Sequence, residues 1–217
     1  MKTFNRFLSE AKEKSCTFTF GRFNPPTTGH ELLVKKLMKV GSGTDVLLFS
    51  SHSNDKRKNP LNHRDKVKYL KKFFGKIVVN ANVKTVFEIA NYLQEQKYVN
   101  VNMVVGSDRV KEFEMLLTKY NGVKARHGYY KFKNINIISA GERDPDADDV
   151  SGMSASKMRQ FAEDGDFDSF KQGVPSKGRS VAKKLYDDIR KGMGINEGNL
   201  PEYMMEDLIT EGVYDPG

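Results

Sequence analysis

At 217 residues, with 38% hydrophobic and 29% charged positions, the chain has the composition of a globular protein holding one ordinary domain and a little more. No apolar run approaches the ~20 residues that span a bilayer, the N-terminus lacks the apolar stretch of a secretory signal, and the single cysteine, Cys16, excludes an internal disulfide or a cysteine metal cluster. The formal charge of +8 suits a nucleic acid, an acidic membrane surface or a small polyanion such as a nucleotide, and by itself does not choose between them.

Residues 1–14 read as a short amphipathic lead. Cys16 to Phe20 is a β-rich run ending at Gly21, a strand that enters a loop. Leu33, Leu37 and Val40, with Val34 and Met38, then recur at helical spacing until Gly41-Ser-Gly43 stops the helix. Val46 to Phe49 is a short apolar strand of the kind covered on both faces. A polar loop from Ser50 to Asn62 leads to a helix marked by Val67, Leu70 and Phe74, and Ile77 to Val79 is expected to be the third strand. Val86, Ile89, Ala90 and Leu93 mark the next helix, and Val101 to Val105 the fourth strand. A helix with Val110, Phe113 and Leu117 follows, then a basic aromatic segment, Arg126 to Lys133, and a fifth strand, Ile135 to Ile138. Lys35, Lys36, Lys39, Lys66, Lys68, Lys71 and Lys72 are read as the solvated faces of these helices.

Alternating strands and helices predict an α/β fold: a doubly wound, Rossmann-like parallel sheet of about five strands. Helices at Ser156 to Asp164 and around Val181, Leu185 and Ile189 are expected to pack on it. The organisation is thus a lead at 1–14, one domain at 15–191, and a tail or junction at 192–217 rich in Gly, Glu, Asp and Pro.

The stretch with most chemistry is Phe20-Gly-Arg-Phe-Asn-Pro-Pro-Thr-Thr-Gly-His30. In a doubly wound sheet ligands bind outside the carboxyl ends of the strands, where this loop emerges. Gly21 permits close backbone approach, Pro25 and Pro26 stiffen the loop, and Arg22 supplies a fork for phosphate oxygens. Thr27, Gly29 and His30 open the next helix, whose free N–H groups favour an anion.

Thr27-Thr28-Gly29-His30 resembles the (H/T)-x-G-H signature of the nucleotidylyltransferase superfamily, and Gly21-Arg22-Phe23-x-Pro25 is similar to the adenylyltransferases that make NAD from nicotinamide mononucleotide. Ser154-Ala-Ser-Lys-Met-Arg159 resembles the second family signature, with Ser156 in the Thr place and Met158 in the Ile place. Ser154 or Ser156 would cap that helix. Asn59-Pro-Leu-Asn-His-Arg64 and Val104-Val-Gly-Ser-Asp108 resemble two further family loops. The resemblance covers residues 16–191. It implies that Thr27, His30 and Arg159 are catalytic, meeting the triphosphate of ATP. Gly21, Arg22, Phe23, Gly29, Gly106, Asp108, Ser154 and Ser156 would bind the nucleotide, and Arg22 and Arg64 the acceptor phosphate. Asp108 reads equally well as a plain helix cap.

Attack of an acceptor phosphate on the α-phosphorus needs no protein nucleophile, so donors and cations suffice. Mg²⁺ is expected on the triphosphate, held by phosphate oxygens and water. No dedicated metal cage is expected, and Asp144, Asp146, Asp148 and Asp149 are read as a solvated acidic loop. The leading reaction is transfer of AMP from ATP to nicotinamide mononucleotide or its acid form, releasing pyrophosphate. The alternatives are cytidylyl transfer, adenylyl transfer to phosphopantetheine or flavin mononucleotide, and a non-catalytic nucleotide-binding virion component. Small nucleotides are the expected partners, with neither membrane nor nucleic acid. A homo-oligomer and association with a phage particle stay open. Leu8-Ser-Glu10 and Ile209-Thr-Glu211 resemble prohead-protease sites of tailed phages, so the expected location is the cytoplasm, or a virion if the chain is phage-encoded.

Overall fold

The computed structural model describes residues 13–141 and 153–195. The acidic loop, the two protease-like sites and nearly all of the tail lie outside these residues. Strand β1, Ser15–Gly21, pairs in parallel with β2, Asp45–Ser50, on one side and with β3, Asn100–Val105, on the other. β3 pairs in parallel with β4, Asn134–Ser139, giving the order β2-β1-β3-β4.

Four named strands form where about five were expected. The run expected as the third strand is shortened to one parallel bridge, Val78 to Leu48, backed by the Val79 N–H donating to the Leu48 carbonyl at 2.9 Å. A 3-10 turn, Gly75–Ile77, consumes the start of the run, and the exposed Asn80 and Asn82 leave no apolar residue to continue it. The bridge still lies on the outer side of β2, so the chain reverses direction across the sheet between β1 and β3.

Alternation along the strands sends side chains to two faces. On one face Cys16, Phe18, Phe49, Val101 and Met103 pack against α3, Val86–Glu95, and α4, Val110–Lys119, through Ile89, Leu93, Phe113 and Leu117. On the other, Leu48 and Val78 meet Val34 of α1, Thr28–Val40, and Val67 and Leu70 of α2, His63–Phe74. In α1 the buried positions are His30, Val34 and Leu37, while Met38 stands 49% exposed outside the apolar stripe. The aromatic segment before β4 is a tight turn closed by a bridge between Ala125 and Gly128. Beyond that turn Tyr130 is buried, with its hydroxyl donating to the Leu117 carbonyl at 2.9 Å.

Towards β4 the second face is polar. Asn134 donates to Asn100 at 2.6 Å, Asn136 to Asn102 at 2.9 Å, and Asn102 in turn to Thr17 at 3.2 Å. These amides form a hydrogen-bonded ladder across three strands. Such cross-strand pairs satisfy polar groups where no helix covers the sheet.

Three further helices, α5 at Ala155–Glu163, α6 at Phe167–Gln172 and α7 at Ala182–Met193, pack on α2. Met158, Phe170, Leu185 and Ile189 close over Tyr69 and Phe73 in a second apolar cluster. Tyr69 pins α7 by donating to Asp188 at 2.5 Å. Glycines allow the close approaches: a Cβ on Gly173 would meet Met153 Cγ at 2.5 Å, and one on Gly192 would collide with the Pro60 carbonyl. This arrangement fixes α5 beside the carboxyl end of β1.

Candidate functional site

A cleft of about 480 Å³ opens at the carboxyl ends of β1 and β3. Its floor is Phe20, Gly21 and Val105, its walls the loop after β1, Ser51 and Ser53 after β2, the turn after β3, and the start of α5. This is the point where strand order reverses, the usual binding place in open α/β sheets.

His30 lines the cleft at 8% exposure, and the sequence around it holds its ring still. Thr27 is the N-cap of α1, its hydroxyl accepting from the His30 N–H at 3.2 Å. In return the Thr27 N–H donates to His30 Nδ1 at 3.1 Å, completing a capping box in which histidine stands where Glu or Gln is usual. A backbone N–H can only donate, so Nδ1 is the acceptor, and the neutral ring carries its proton on Nε2. Phe23 packs on the imidazole with ring centroids 4.8 Å apart. Its backbone sits at φ 47°, a left-handed conformation that a bulky residue adopts only when its surroundings enforce it.

Thr27 itself is 1% exposed and stands behind the cleft wall. The contact expected between its hydroxyl and the triphosphate is replaced by its bonds to His30. Gly29 is also set back. A Cβ there would approach the Met153 carbonyl at 3.0 Å, so this glycine admits the strap leading into α5.

Arg159 reaches the cleft from the first turns of α5. Ser154 is the N-cap, accepting from the Lys157 N–H at 3.1 Å. Ser156 Oγ accepts from Arg159 Nη2 at 3.0 Å, and the Asn24 carbonyl accepts from Nη1 at 2.7 Å. Two of the guanidinium's donors are thereby fixed and the fork is preorganised. Arg22, exposed on the loop after β1, also lines the cleft.

Lys66 was read as part of a solvated face, and it is fully buried. It shares the inward face of α2 with Leu70 and Phe73, at i+4 and i+7. Its Nζ donates to the Ser51 carbonyl at 2.7 Å, beneath the β2 wall. Burial first, and then the Arg22 guanidinium, push this ammonium down to about 8. The same two causes lower the pKa of Arg159, with Asp55 opposing them. Arg22, Lys66 and Arg159 therefore form a mutually repelling cationic group.

Arg64 is not brought to the cleft. Two residues before Lys66 on a helix is a rotation of about 200°, which leaves Arg64 exposed. The signal for Lys66 was available in the sequence as a lysine in phase with Leu70 and Phe73. Charge alone assigned it to the surface. Asn24 was also overlooked. It lines the cleft at 1% exposure, and its amide bonds both backbone groups of Leu61.

At the far end, Gly106 lets the Asp108 carboxylate fold back, since a Cβ would meet Oδ1 at 2.6 Å. Asp108 makes no helix-capping bond; it is exposed in the turn Ser107–Arg109 and faces the cleft. Beside it Arg109 is paired with Glu112 at 2.7 Å and lies over the Phe113 ring. Lys58 and Lys84 complete the lining. Lys58 is carried by a turn in which Asp55 accepts from the backbone of Lys58 at 2.6 Å and of Arg57 at 3.0 Å. These bonds, that to Lys58 foremost, hold the Asp55 carboxyl down at about 2.

Among the described residues no three His, Cys, Asp or Glu side chains gather in a metal-binding group. Asp108 is the one carboxylate in the cleft lining, against five Lys or Arg side chains. No described helix is long and apolar enough to cross a membrane.

Comparison with solved structures finds this fold in adenylyltransferases. The Plasmodium falciparum nicotinic acid mononucleotide adenylyltransferase complexed with NaAD is 14% identical, with a TM-score of 0.51 over 81% of this chain and 98% of that one. The same enzyme complexed with APC gives a TM-score of 0.50 at 14% identity and the same coverage. The Thermotoga maritima protein TmcAL bound with alpha-thio ATP is 9% identical, with a TM-score of 0.48 over 78% of this chain and 55% of that one. No curated protein sequence matches. The family model described as cytidylyltransferase-like matches residues 18–161, from within β1 to within α5. With both ends of the cleft inside that match, the chain belongs to the cytidylyltransferase-like family of nucleotidylyltransferases.

Proposed function

We propose that this nucleotidylyltransferase transfers AMP from ATP to a phosphorylated mononucleotide, nicotinamide mononucleotide or its acid form, forming a dinucleotide and releasing pyrophosphate. The observation that carries the reading is one arrangement: an imidazole held as its Nε2–H tautomer beside Arg22, Lys66 and Arg159. A phosphate oxygen of the acceptor attacks the α-phosphorus, and the bond from that phosphorus to the bridging oxygen of the β-phosphate breaks. The acceptor supplies the nucleophile, so the protein aligns the two phosphates and stabilises charge.

His30 donates from Nε2 to the α-phosphate oxygens as negative charge grows there. Arg159 and Lys66 take up the charge that develops on departing pyrophosphate, and Arg22 holds the acceptor phosphate. Thr27 acts through His30. Asp108 is placed to accept from ribose hydroxyls and Gly106 to let the sugar approach the backbone. Mg²⁺ would arrive as part of the nucleotide substrate. The lone cleft carboxylate fits an ion held by phosphate oxygens and water and not a protein cage.

The family model's own description favours a second reading, cytidylyl transfer from CTP. The discriminating experiment measures pyrophosphate release with ATP or CTP against a panel of acceptors. The panel holds nicotinamide mononucleotide, its acid form, phosphopantetheine, flavin mononucleotide and polyol phosphates. Release with ATP and a nicotinamide-type acceptor is expected. Release only with CTP would establish the second reading. A melting-temperature rise with ATP and no release with any acceptor would make the chain a nucleotide binder.

A further inference from the structure

Three cations that repel one another arrive in the cleft from three separate elements: Arg22 from the loop after β1, Lys66 from α2 and Arg159 from α5. Something must hold those elements at a fixed separation when no anion is bound. Asn24 makes bonds to all three. Its Nδ2 donates to the Leu61 carbonyl at 2.8 Å, and its Oδ1 accepts from the Leu61 N–H at 3.0 Å. The side-chain amide thus imitates a backbone partner for Leu61. Leu61 directly precedes Asn62, the N-cap of α2, whose carbonyl accepts from the Lys66 N–H at 3.0 Å. The main-chain carbonyl of Asn24 accepts from Arg159 Nη1 at 2.7 Å. Arg22 lies two residues away on the same loop.

We propose that Asn24 is a positioning residue, the junction that sets the spacing of Arg22, Lys66 and Arg159 for a polyphosphate. This rests on the proposed reading of the cleft. The amide chemistry is specific. Leu61 presents one donor and one acceptor, and a carboxylate of the same size could answer only the donor, while a hydroxyl would fall short of both. Losing the clamp frees α2 to move away from the loop under the repulsion of its own lysine. Cations displaced by even about 1 Å cost on the order of 10²-fold in effect.

The test measures binding of inorganic tripolyphosphate by calorimetry, across pH 6 to 10, in the full chain. Asn24→Ala is expected to lose affinity ~10²-fold. The fall in affinity above pH 8 seen in the wild type should move upward, as Lys66 relaxes away from Arg22. Tyr98→Phe, which removes a 2.7 Å bond to Asp45 at the opposite end of the sheet, supplies a destabilised control with wild-type affinity. Asn24→Ala binding like that control, with an unmoved pH profile, would overturn the proposal.

Hydrogen exchange on the wild type decides the matter even if Asn24→Ala does not fold. Tripolyphosphate should protect the Leu61 amide together with those of residues 21–30, and protection of the loop alone would refute the coupling. A wild type that binds no tripolyphosphate would remove the reading of the cleft itself. Wild-type binding with an unaffected variant would remove only the role of Asn24.

Discussion

His30 is held by two bonds to Thr27 and by the Phe23 ring, so its replacement tests chemistry more than folding. His30→Ala is expected to reduce pyrophosphate release ~10²–10³-fold, as loss of a preorganised donor does. The side-chain half of the capping box goes with it, a cost of about 1 kcal/mol to be read from denaturant unfolding. Lys66 makes a prediction with two opposite signs. Burial lowers its folded pKa to about 8, while the unfolded chain keeps the ordinary value of about 10.4. Between those values the unfolded state binds more protons, so this group's contribution to stability rises with pH over about 8 to 10.4. Polyphosphate binding, which needs the proton, should fall over the same interval. In Lys66→Met both trends should vanish, seen as a flattened pH dependence of the melting temperature and of the affinity. The sequence made the histidine legible because its motif is local. It hid Lys66 because a charge count cannot see helical phase, and it hid Asn24 because the partner lies 37 residues away.

At the scale of elements, the second signature works through a helix end. Ser154→Ala should cost about 1 kcal/mol by loss of the cap, and should also raise the Michaelis constant for the nucleotide, because the first turn of α5 carries Arg159. Gly192→Ala asks whether α7 is held tightly on the loop before α2. The added methyl collides with the Pro60 carbonyl, so a loss of about 1–3 kcal/mol is expected in chemical denaturation. The repeating apolar spacing made every helix of the sheet layers legible in the sequence. Strand expectations failed at Ile77 to Val79, where a run of three β-formers reads as a strand until Gly75 ends α2 at φ 71° and a 3-10 turn takes up the first of them. Asp108 was open between cap and ligand because one Asp after a Gly fits both, and the structure removes the cap.

Across the whole molecule, the positive balance is concentrated where an anion would be bound: five cations and one carboxylate line the cleft. Affinity for ATP should therefore weaken steadily with added salt, though less steeply for the buried Lys66 than for exposed Arg22. Titrating ATP in a melting experiment at two ionic strengths would show it as a smaller stabilisation at the higher one. Alternation of strand and helix was enough to predict the parallel sheet and its binding edge. The polar second face near β4 was not foreseen, because Asn100, Asn102, Asn134 and Asn136 look like loop residues until the strands bring them side by side.

The reciprocal bonds between Thr27 and His30 also bear on how the protein responds to warming. The first turn of α1 and the seat of the imidazole are one cooperative unit, so fraying of that helix end and misplacement of the Nε2 proton are the same event. Helix ends open at free energies well below global unfolding. Turnover should therefore decline at temperatures where the β-sheet is still intact, with bound nucleotide postponing the decline.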